Sequence, residues 1–501
     1  MPSIALPVSL RGQLLSGSRF NPVSLFSAGE QGIWLEPSDL TTMFQDRAGT
    51  TPVTTPGQTV GLRLDKSKGL VLGSELITNG DFSSGTGWTL INATISGGLL
   101  NANSVTSVNL ATQSISLVAG KTYKVIFTVS NYVSGTGTVV FGVGSNVSVA
   151  AFTANGTYTV LAVAGTANSE IRVGCTGAGL VCSIDNISVK ELPGNHAVAP
   201  TDAARPTYGI EPKTGRRNLL LATDTMATQS LTVAAVAHTL AFTGTGTVTL
   251  TGASIAGPLI GTGASNRVSL TFTPTAASLT LTVVGSVTLA QLELGSTATA
   301  YQRVGTAFDV TEAGVPTVHY VQYDGTDDSF STSSIDFSAT DKMSVFAGVR
   351  KISDNQPGVI VELSASVGAN NGAFSIAAPR IIGEASLVCD LRGTSGAFRY
   401  YTGIAAPVSL VASALYDIAG ATVSEELILR NNGTVQAGTS GGPAGSGNFG
   451  NYPLFIGRRN NATTPFNGRD YGIIIVGKTA SATEITNTES YLAANTSGVT
   501  L

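Results

Sequence analysis

Apolar and polar residues alternate with a period of two along much of this chain. The clearest runs are residues 247–251, 268–273 and 279–283, where Val, Leu or Phe alternates with Thr or Ser. Successive side chains of a strand point to opposite faces of a sheet. The pattern therefore predicts strands with one buried face and one hydroxyl-rich face.

Residues 305–501 carry the longest uninterrupted β pattern, which opens with a strand and an acidic turn at 318–330. Further strands are predicted at 343–350, 358–363, 386–391, 408–415, 425–430, 452–456 and 471–476. The Asn432-Gly433 pair is the sharpest hairpin signal in the chain, because both residues tolerate positive φ. Strands and turns at this spacing favour an antiparallel sandwich.

Helical signals are confined to two short segments. Ser481 and Glu484 form a capping-box pattern that predicts a helix to about residue 494, placed to seal an edge or end of the sandwich. Residues 37–44 predict one helical turn. The predicted fold class is all-β, with serial antiparallel β-sandwiches or jelly rolls and a short C-terminal helix.

Composition limits the partners that the chain can have. Only 12% of its 501 residues are charged, about half the usual quarter, so we expect leftover surface to be buried between subunits. The net charge is −4 and no basic run exceeds a pair, which argues against nucleic acid as a partner. We expect no signal peptide and no membrane insertion, since the densest apolar run, residues 471–476, is far shorter than a span. The three cysteines predict reduced core thiols.

Several phrases resemble parts of bacteriophage virion proteins. The stretch "YVQYDGTDD" at 320–328 resembles the start of the concanavalin A-like (laminin G-like) lectin domains of such proteins, and the likeness covers about residues 305–501. "GIWLEPSDLTTMFQDRAGTTPVT" at 32–54 resembles their leader, and "ELGSTATAYQRVG" at 293–305 resembles a phrase of tail and virion proteins. Residues 1–71 are accordingly predicted to be an N-terminal attachment segment.

Residues 72–193 look like an inserted domain. "DKSKG" at 65–69 and "GNHA" at 194–197 resemble phrases that run on together in these virion proteins. The block between them carries "NGDF" at 79–82 and "IDNISV" at 184–189, which resemble the ends of carbohydrate-binding jelly rolls of the CBM4/9 type. That resemblance implies a structural calcium site, for which Asp81 and Asp185 are candidates, although turn and strand-end roles explain both residues too. Trp88 is predicted to be core rather than a sugar platform.

The next two segments are predicted to join and to space the larger domains. Residues 194–217 are rich in Pro and Gly and predict a stiff linker. Residues 218–304 predict a second small β-sandwich whose strands repeat the earlier plan in shorter form.

Candidate ligand-binding residues lie in the lectin-like region. A glycine-rich loop flanked by guanidinium and aromatic groups suits sugar hydroxyls, although ordinary strand packing explains the same residues: Arg392, Phe398, Arg399, Tyr400 and Tyr401. A second set, Asp324, Asp327 and Asp328, either binds calcium or forms an Asp-Gly turn.

Catalysis is not predicted. The three histidines lie in separate segments with no nucleophile phrase beside them. The carboxylates Glu362 and Asp390 lack a local partner, and the adjacent Glu425 and Glu426 would face opposite sides of a strand.

These observations predict a phage virion structural protein, namely a fibre, spike or decoration subunit. Its lectin-like domain would bind surface glycans or neighbouring virion proteins, and it would assemble in the host cytoplasm as a homo-oligomer. The resemblance favours a trimer. No cofactor is required beyond possible structural calcium. The alternative is a secreted protein that binds or hydrolyses polysaccharide, which needs an export signal.

Overall fold

The structure is a computed structural model that describes residues 20–105, 109–143 and 146–501. It is nearly all β, and almost every strand pair is antiparallel. The all-β prediction is confirmed. Among the described residues, no helix is long and apolar enough to cross a membrane.

The first 71 residues contribute three strands and two 3₁₀ helices: Pro22–Phe26, β1 (Gly32–Leu35), Leu40–Thr42, β2 (Met43–Phe44) and β3 (Leu62–Arg63). Residues 72–193, here called the first insert, form β4 (Thr89–Leu90), β5 (Thr94–Ser96), β6 (Leu99–Val105), β7 (Ala111–Ser114), β8 (Thr122–Gly142), β9 (Val147–Phe152), β10 (Gly156–Val163) and β11 (Glu170–Leu192).

After two strands, β12 (Ala197–Val198) and β13 (Thr207–Pro212), comes a second insert, residues 218–301. Its strands are β14 (Gln229–Val233), β15 (His238–Gly244), β16 (Thr247–Gly252), β17 (Leu259–Ile260), β18 (Gly263–Phe272), β19 (Ala277–Val284) and β20 (Val287–Leu294).

The rest of the chain forms β21 (Gln302–Thr306), β22 (Asp309–Glu312), β23 (Thr317–Asp324), β24 (Phe330–Asp336), β25 (Lys342–Lys351), β26 (Val359–Leu363), β27 (Ala373–Ala377), β28 (Ser386–Arg392), β29 (Gly396–Thr402), β30 (Val408–Asp417), α1 (Val423–Glu426), β31 (Leu427–Asn431), β32 (Thr434–Val435), β33 (Thr439–Gly441), β34 (Asn451–Ile456), β35 (Asn467–Val476) and α2 (Ala482–Asn495).

Three separated parts of the chain build one large sandwich, here called the main sandwich (residues 20–71, 194–217 and 302–501). Sheet 1 runs in the order β21-β22-β13-β23-β35-β25-β30-β31-β32, with β1 also paired to β35. Sheet 2 runs β2-β3-β12-β24-β34-β26-β27-β28-β29-β33. The largest buried apolar cluster lies between the two sheets.

The attachment segment and the linker are both part of this sandwich. In the described part of the attachment segment, β1 pairs with β35 and β3 pairs with β12, while residues 1–19 lie outside the described residues. Residues 194–217, predicted to be a linker, instead form β12 in sheet 2 and β13 in sheet 1. Their strand partners are far away in sequence, so local composition alone does not reveal the pairing.

Buried ion pairs tie the three parts together. Arg63 donates to both carboxylate oxygens of Asp470, at 2.5 and 3.2 Å, and both residues are 1% exposed. Glu211, on β13, pairs with Arg469 at 2.8 Å and accepts a hydrogen bond from the Tyr471 hydroxyl. Removing one partner would leave a buried charge unpaired, a loss of about 3–5 kcal/mol, so these pairs fix the three parts in one arrangement.

Both ends of the first insert meet at Asp65, which is fully buried. Its carboxylate accepts hydrogen bonds from the backbone N–H groups of Trp34, Ser67 and Asn195 at 2.7–2.8 Å. Its own N–H donates to Nδ1 of His196, whose Nε2 lies 3.2 Å from the Leu192 carbonyl. The "DKSKG" and "GNHA" phrases are therefore direct neighbours in space.

The first insert has its own core. The long strands β8 and β11 pair along most of their length, and the eight strands share one apolar cluster. Trp88 is 7% exposed, packs 5.1 Å from the Phe82 ring and donates from Nε1 to the Asn79 carbonyl, which is a core position as predicted. Cys175, Cys182 and Cys389 are all free and buried, as expected.

The second insert is a small sandwich of a four-stranded and a three-stranded sheet. A buried polar junction joins it to the main sandwich. Asn218 donates from its side-chain amide to the carbonyls of Ala290 and Gln302, and Gln302 in turn donates to Glu312. Residues of the "ELGSTATAYQRVG" phrase thus serve as structural links at this junction.

Helix α2 begins at the predicted cap. Ser481 accepts from the Glu484 N–H, and Glu484 accepts from the Ser481 N–H, so the capping box is confirmed. The helix covers the outer face of sheet 1, where Leu492 and Ala493 pack with Trp34, Phe346 and Ile474. It therefore seals a face of the sandwich rather than an edge.

Candidate functional site

Strand alternation splits the five predicted sugar-binding residues between two faces of sheet 2. Ala397 lies in the core and Tyr401 packs against it, so Arg399 between them also points inward. Arg399 is 8% exposed and donates to Ser424 Oγ at 3.2 Å. Phe398 and Tyr400 point to the outer face. The predicted set of five therefore does not converge on one ligand.

The outer-face residues form a compact aromatic group. The Phe398 and Tyr400 rings are stacked with centroids 6.1 Å apart and an interplanar angle of 23°. Arg380 lies over both rings, with its guanidinium carbon 5.0 Å from the Phe398 centroid and 4.7 Å from that of Tyr400. Arg392, at the end of β28, only approaches Asn371 Oδ1 at 3.4 Å.

Arg380 is a residue that sequence reasoning missed. It lies in the loop between β27 and β28 and is followed by the exposed Ile381 and Ile382, which are 54% and 71% exposed. Two large apolar residues beside an arginine in a predicted loop were the available signal. The three residues and the two rings form a surface that we call the aromatic face.

Two buried carboxylates lie on the same side of sheet 2. Glu362 and Asp390 both pair with Ser375, on the strand between them, so they share the outer face. Burial raises the pKa of each carboxyl. Both Glu362 oxygens are occupied, one by the Val367 N–H at 2.5 Å and the other by Arg459 Nε at 2.7 Å. Glu362 is fully buried, which suits a structural role better than an acid–base role.

The other carboxylate pair lies in a helical turn rather than the predicted strand. Residues 423–426 form α1, and Glu425 completes its capping box with Thr422. Glu426 is 1% exposed and accepts from the Ala444 N–H with both oxygens at 3.0 Å. Both carboxylates therefore hold local backbone groups.

Among the described residues, Asp324, Asp327 and Asp328 are the group of acidic, histidine or cysteine side chains placed closely enough to hold a metal ion. Asp324 accepts from the Thr326 N–H, which makes the predicted Asp-Gly turn, and its own N–H donates to Asp328 at 2.9 Å. Burial, with Asp324 nearby, raises the pKa of Asp328 to about 7. The remaining oxygens that a calcium ion requires would come from backbone carbonyls and water.

Asp81 and Asp185 do not form such a group with other metal ligands in the described part of the chain. Asp81 accepts hydrogen bonds from the N–H and hydroxyl of Ser83, a local turn. Asp185 is bonded by the backbone and side-chain amides of Asn186. The turn and strand-end roles account for the contacts of both carboxylates.

The histidines are far apart in function as well as in sequence. His196 holds the first insert through Asp65, and burial lowers its pKa, so it is neutral near pH 7. His319 Nδ1 lies 2.7 Å from the Tyr208 hydroxyl. His238 is fully buried and stacks on Phe272. Each side chain is held within its own part of the fold.

No protein-family model matches the chain, and no curated protein matches it significantly. Among solved structures, it is similar to the botulinum neurotoxin type G receptor-binding domain, at 11% identity over 34% of this chain and 42% of that one, with a TM-score of 0.26. It is also similar to the Ruminococcus gnavus IT-sialidase CBM40 domain, at 14% identity over 34% of this chain and 96% of that one, with a TM-score of 0.25. The chain thus spans about two fifths of the toxin domain. Likenesses this remote carry no conclusion about function.

Proposed function

We propose that the chain is a structural subunit of a bacteriophage virion, assembled in the host cytoplasm, whose lectin-like main sandwich binds surface glycans. The observation that carries this proposal is the architecture. One sandwich built from three parts of the chain carries two further sandwiches, and buried polar contacts fix each junction. Such a chain presents large surfaces in a fixed arrangement. The phrases that resemble virion proteins lie at the contacts that make this arrangement.

A non-catalytic role forms part of the proposal. The carboxylates that a polysaccharide hydrolase would use are engaged in holding the fold: Glu362 by Arg459 and Val367, and Glu426 by Ala444. A general acid must be free to donate a proton to the substrate. This pattern favours binding over hydrolysis of a glycan.

Particle composition tests the proposal directly. Phage particles from cells that carry this gene are purified on a density gradient, and their proteins are identified by mass spectrometry. We expect peptides of this chain to band with the particles and antibodies against it to label them in electron micrographs. Recovery only in particle-free medium would instead support the secreted polysaccharide-binding alternative.

A neighbouring virion protein is a second candidate ligand, and the aromatic face supports it. Aromatic residues and arginine are enriched in protein interfaces, and here they lie beside two exposed isoleucines. Replacing Ile382 with Asp would weaken such a contact while leaving the fold intact, because Ile382 is mostly exposed. Loss of the chain from assembled particles in this variant, with unchanged thermal stability, is the expected result. Normal incorporation would remove this candidate.

A further inference from the structure

A cleft of about 520 Å³ lies between the first insert and the main sandwich. The wall from the insert consists of the turn at residues 119–122 together with Leu161 and Val163. The opposite wall comes from the main sandwich, mainly residues 333–336 and Asn451. Ligand sites commonly have volumes of about 300–1,000 Å³ and often occur at domain interfaces.

The two walls are held at a fixed distance. The Leu161 N–H donates to the Ala48 carbonyl at 2.9 Å, which joins the insert to the main sandwich beside the cleft. Leu62, Leu64 and Leu192 pack together across the same junction. Asp65 fastens the chain where it leaves and re-enters the main sandwich. A cleft with fixed walls loses little free energy to ordering when a ligand binds.

Unused polar groups line this cleft. Arg47 is exposed and makes no ion pair or side-chain hydrogen bond with any described residue, although the loop that carries it is held by the Asp46 carboxylate. The same holds for the hydroxyls of Ser333 and Ser334 and the amide of Asn451, within the part of the chain that the structure describes. These groups can donate to and accept from a ligand without breaking existing bonds.

The charge of the lining favours an anion. Arg47 and Lys121 contribute two positive charges, and Asp336 contributes one negative charge. The Asp336 carboxylate is already bonded by the N–H and hydroxyl of Ser338. Lys121 pairs loosely with Glu191 at 3.5 Å, and both side chains are partly exposed. Arg47 is thus the free cation of the cleft among the described residues.

Apolar side chains supply the rest of the lining, including Leu62, Leu161, Val198 and Ile335. A pyranose has one face of C–H groups and an edge of hydroxyls, so it needs both an apolar wall and scattered hydrogen-bonding groups. A guanidinium binds a carboxylate with two parallel hydrogen bonds. This combination suits a sugar that carries a carboxylate.

We propose that this cleft binds an acidic saccharide, with Arg47 holding the sugar carboxylate and Ser333, Ser334 and Asn451 holding its hydroxyls. The inference rests on the glycan-binding role proposed above and assigns that role to a site distinct from the aromatic face. Because the site needs both walls, neither the insert nor the main sandwich alone would bind the saccharide.

Calorimetry with the full chain tests this site. The ligands are tetrasaccharides of galacturonic acid and of glucuronic acid, with maltotetraose and cellotetraose as neutral controls. We expect an acidic tetrasaccharide to bind, Arg47→Gln to weaken it by at least about tenfold, and Ser334→Trp to abolish binding by filling the cleft. Arg267→Gln, the same charge change on the second insert, should leave the affinity unchanged. Thermal melting of each variant verifies its fold.

The outcomes separate the site from the function. Binding that persists in Arg47→Gln and Ser334→Trp, or that is lost in Arg380→Gln instead, overturns the cleft and keeps the glycan role. Preference for a neutral tetrasaccharide overturns the acidic ligand in the same way. Absence of binding to all four tetrasaccharides counts against both the cleft and the glycan role.

Discussion

At the scale of single residues, the chain uses its few charges inside the fold. Only 12% of its residues are charged, yet Arg63, Asp470, Glu211 and Glu362 are all 1% exposed or less. A buried charge is tolerated only when it is paired and hydrogen-bonded, and each of these is. The surface is left to hydroxyls and amides. Charge in this protein therefore specifies which strands meet.

Asp328 gives a prediction about pH. Its pKa is raised to about 7, whereas an unfolded aspartate titrates near 3.9. Between about pH 4 and 7 the folded chain keeps a proton that the unfolded chain loses, so this group lowers stability as pH rises. Asp328→Asn removes that loss. We expect the variant to gain on the order of 1–2 kcal/mol over the parent between pH 4 and pH 7.5, measured by urea unfolding in EGTA.

The same pair of proteins tests the predicted calcium site. If the three aspartates hold Ca²⁺, adding 1 mM calcium at pH 7.5 will stabilise the parent and not Asp328→Asn, since the variant lacks one carboxylate. Equal shifts in both proteins would place calcium elsewhere. A stability difference that stays constant from pH 4 to 7.5 would contradict the raised pKa of Asp328.

At the scale of elements, local pattern predicted the strands, and contact between distant segments decided where they pair. The strands predicted at 343–350, 408–415 and 471–476 match β25, β30 and β35 within two residues at most ends, because their alternation or apolar content is strong. The Asn432-Gly433 hairpin is confirmed by β31 and β32.

Where the sequence failed, the missing information was nonlocal. β12 is two residues long, and β13 ends at a proline, so neither shows a strand pattern. Each becomes a strand because an open edge, β3 or β23, supplies its hydrogen bonds. The predicted binding residues failed for a different reason: a run of aromatics and arginines on one strand alternates between faces, so neighbours in sequence cannot share a site. The cleft was invisible because its walls are over a hundred residues apart.

The capping box of α2 gives a prediction at this scale. Ser481→Ala removes the hydroxyl that accepts from the Glu484 N–H and leaves that donor without its partner. A lost cap costs about 1 kcal/mol, and the helix also covers the apolar outer face of sheet 1. We expect about that loss in urea unfolding. Ser490→Ala, inside the same helix, should change stability by less than half as much; equal losses would contradict a capping effect.

At the scale of the whole molecule, the inserts are separable additions to one sandwich. Deleting residues 70–193 joins Gly69 to Gly194, whose neighbours Ser67 and Asn195 both donate to Asp65. The shortened chain should fold cooperatively, because Arg63 still reaches Asp470 and only the small cluster around Leu62 is exposed. Near-ultraviolet circular dichroism and urea unfolding would show this. Deleting residues 62–193 also removes Arg63 and should prevent folding; equal behaviour of the two deletions would contradict this account.

The assembly of whole chains gives the last prediction. The second insert exposes several large apolar side chains, among them Ile255 at 86%, Val284 at 68% and Leu294 at 60%. With so few surface charges, a monomer would keep this apolar surface in water, and closed symmetry is the usual way to bury it. We expect a homo-oligomer, with a trimer favoured by the resemblance to phage fibres and decoration proteins. Light scattering on the full chain should give about three times the 50.9 kDa chain mass, and Ile255→Asp with Val284→Asp should lower it. A monodisperse 50.9 kDa particle at micromolar concentration would refute self-assembly and would leave the exposed side chains for contacts with other proteins.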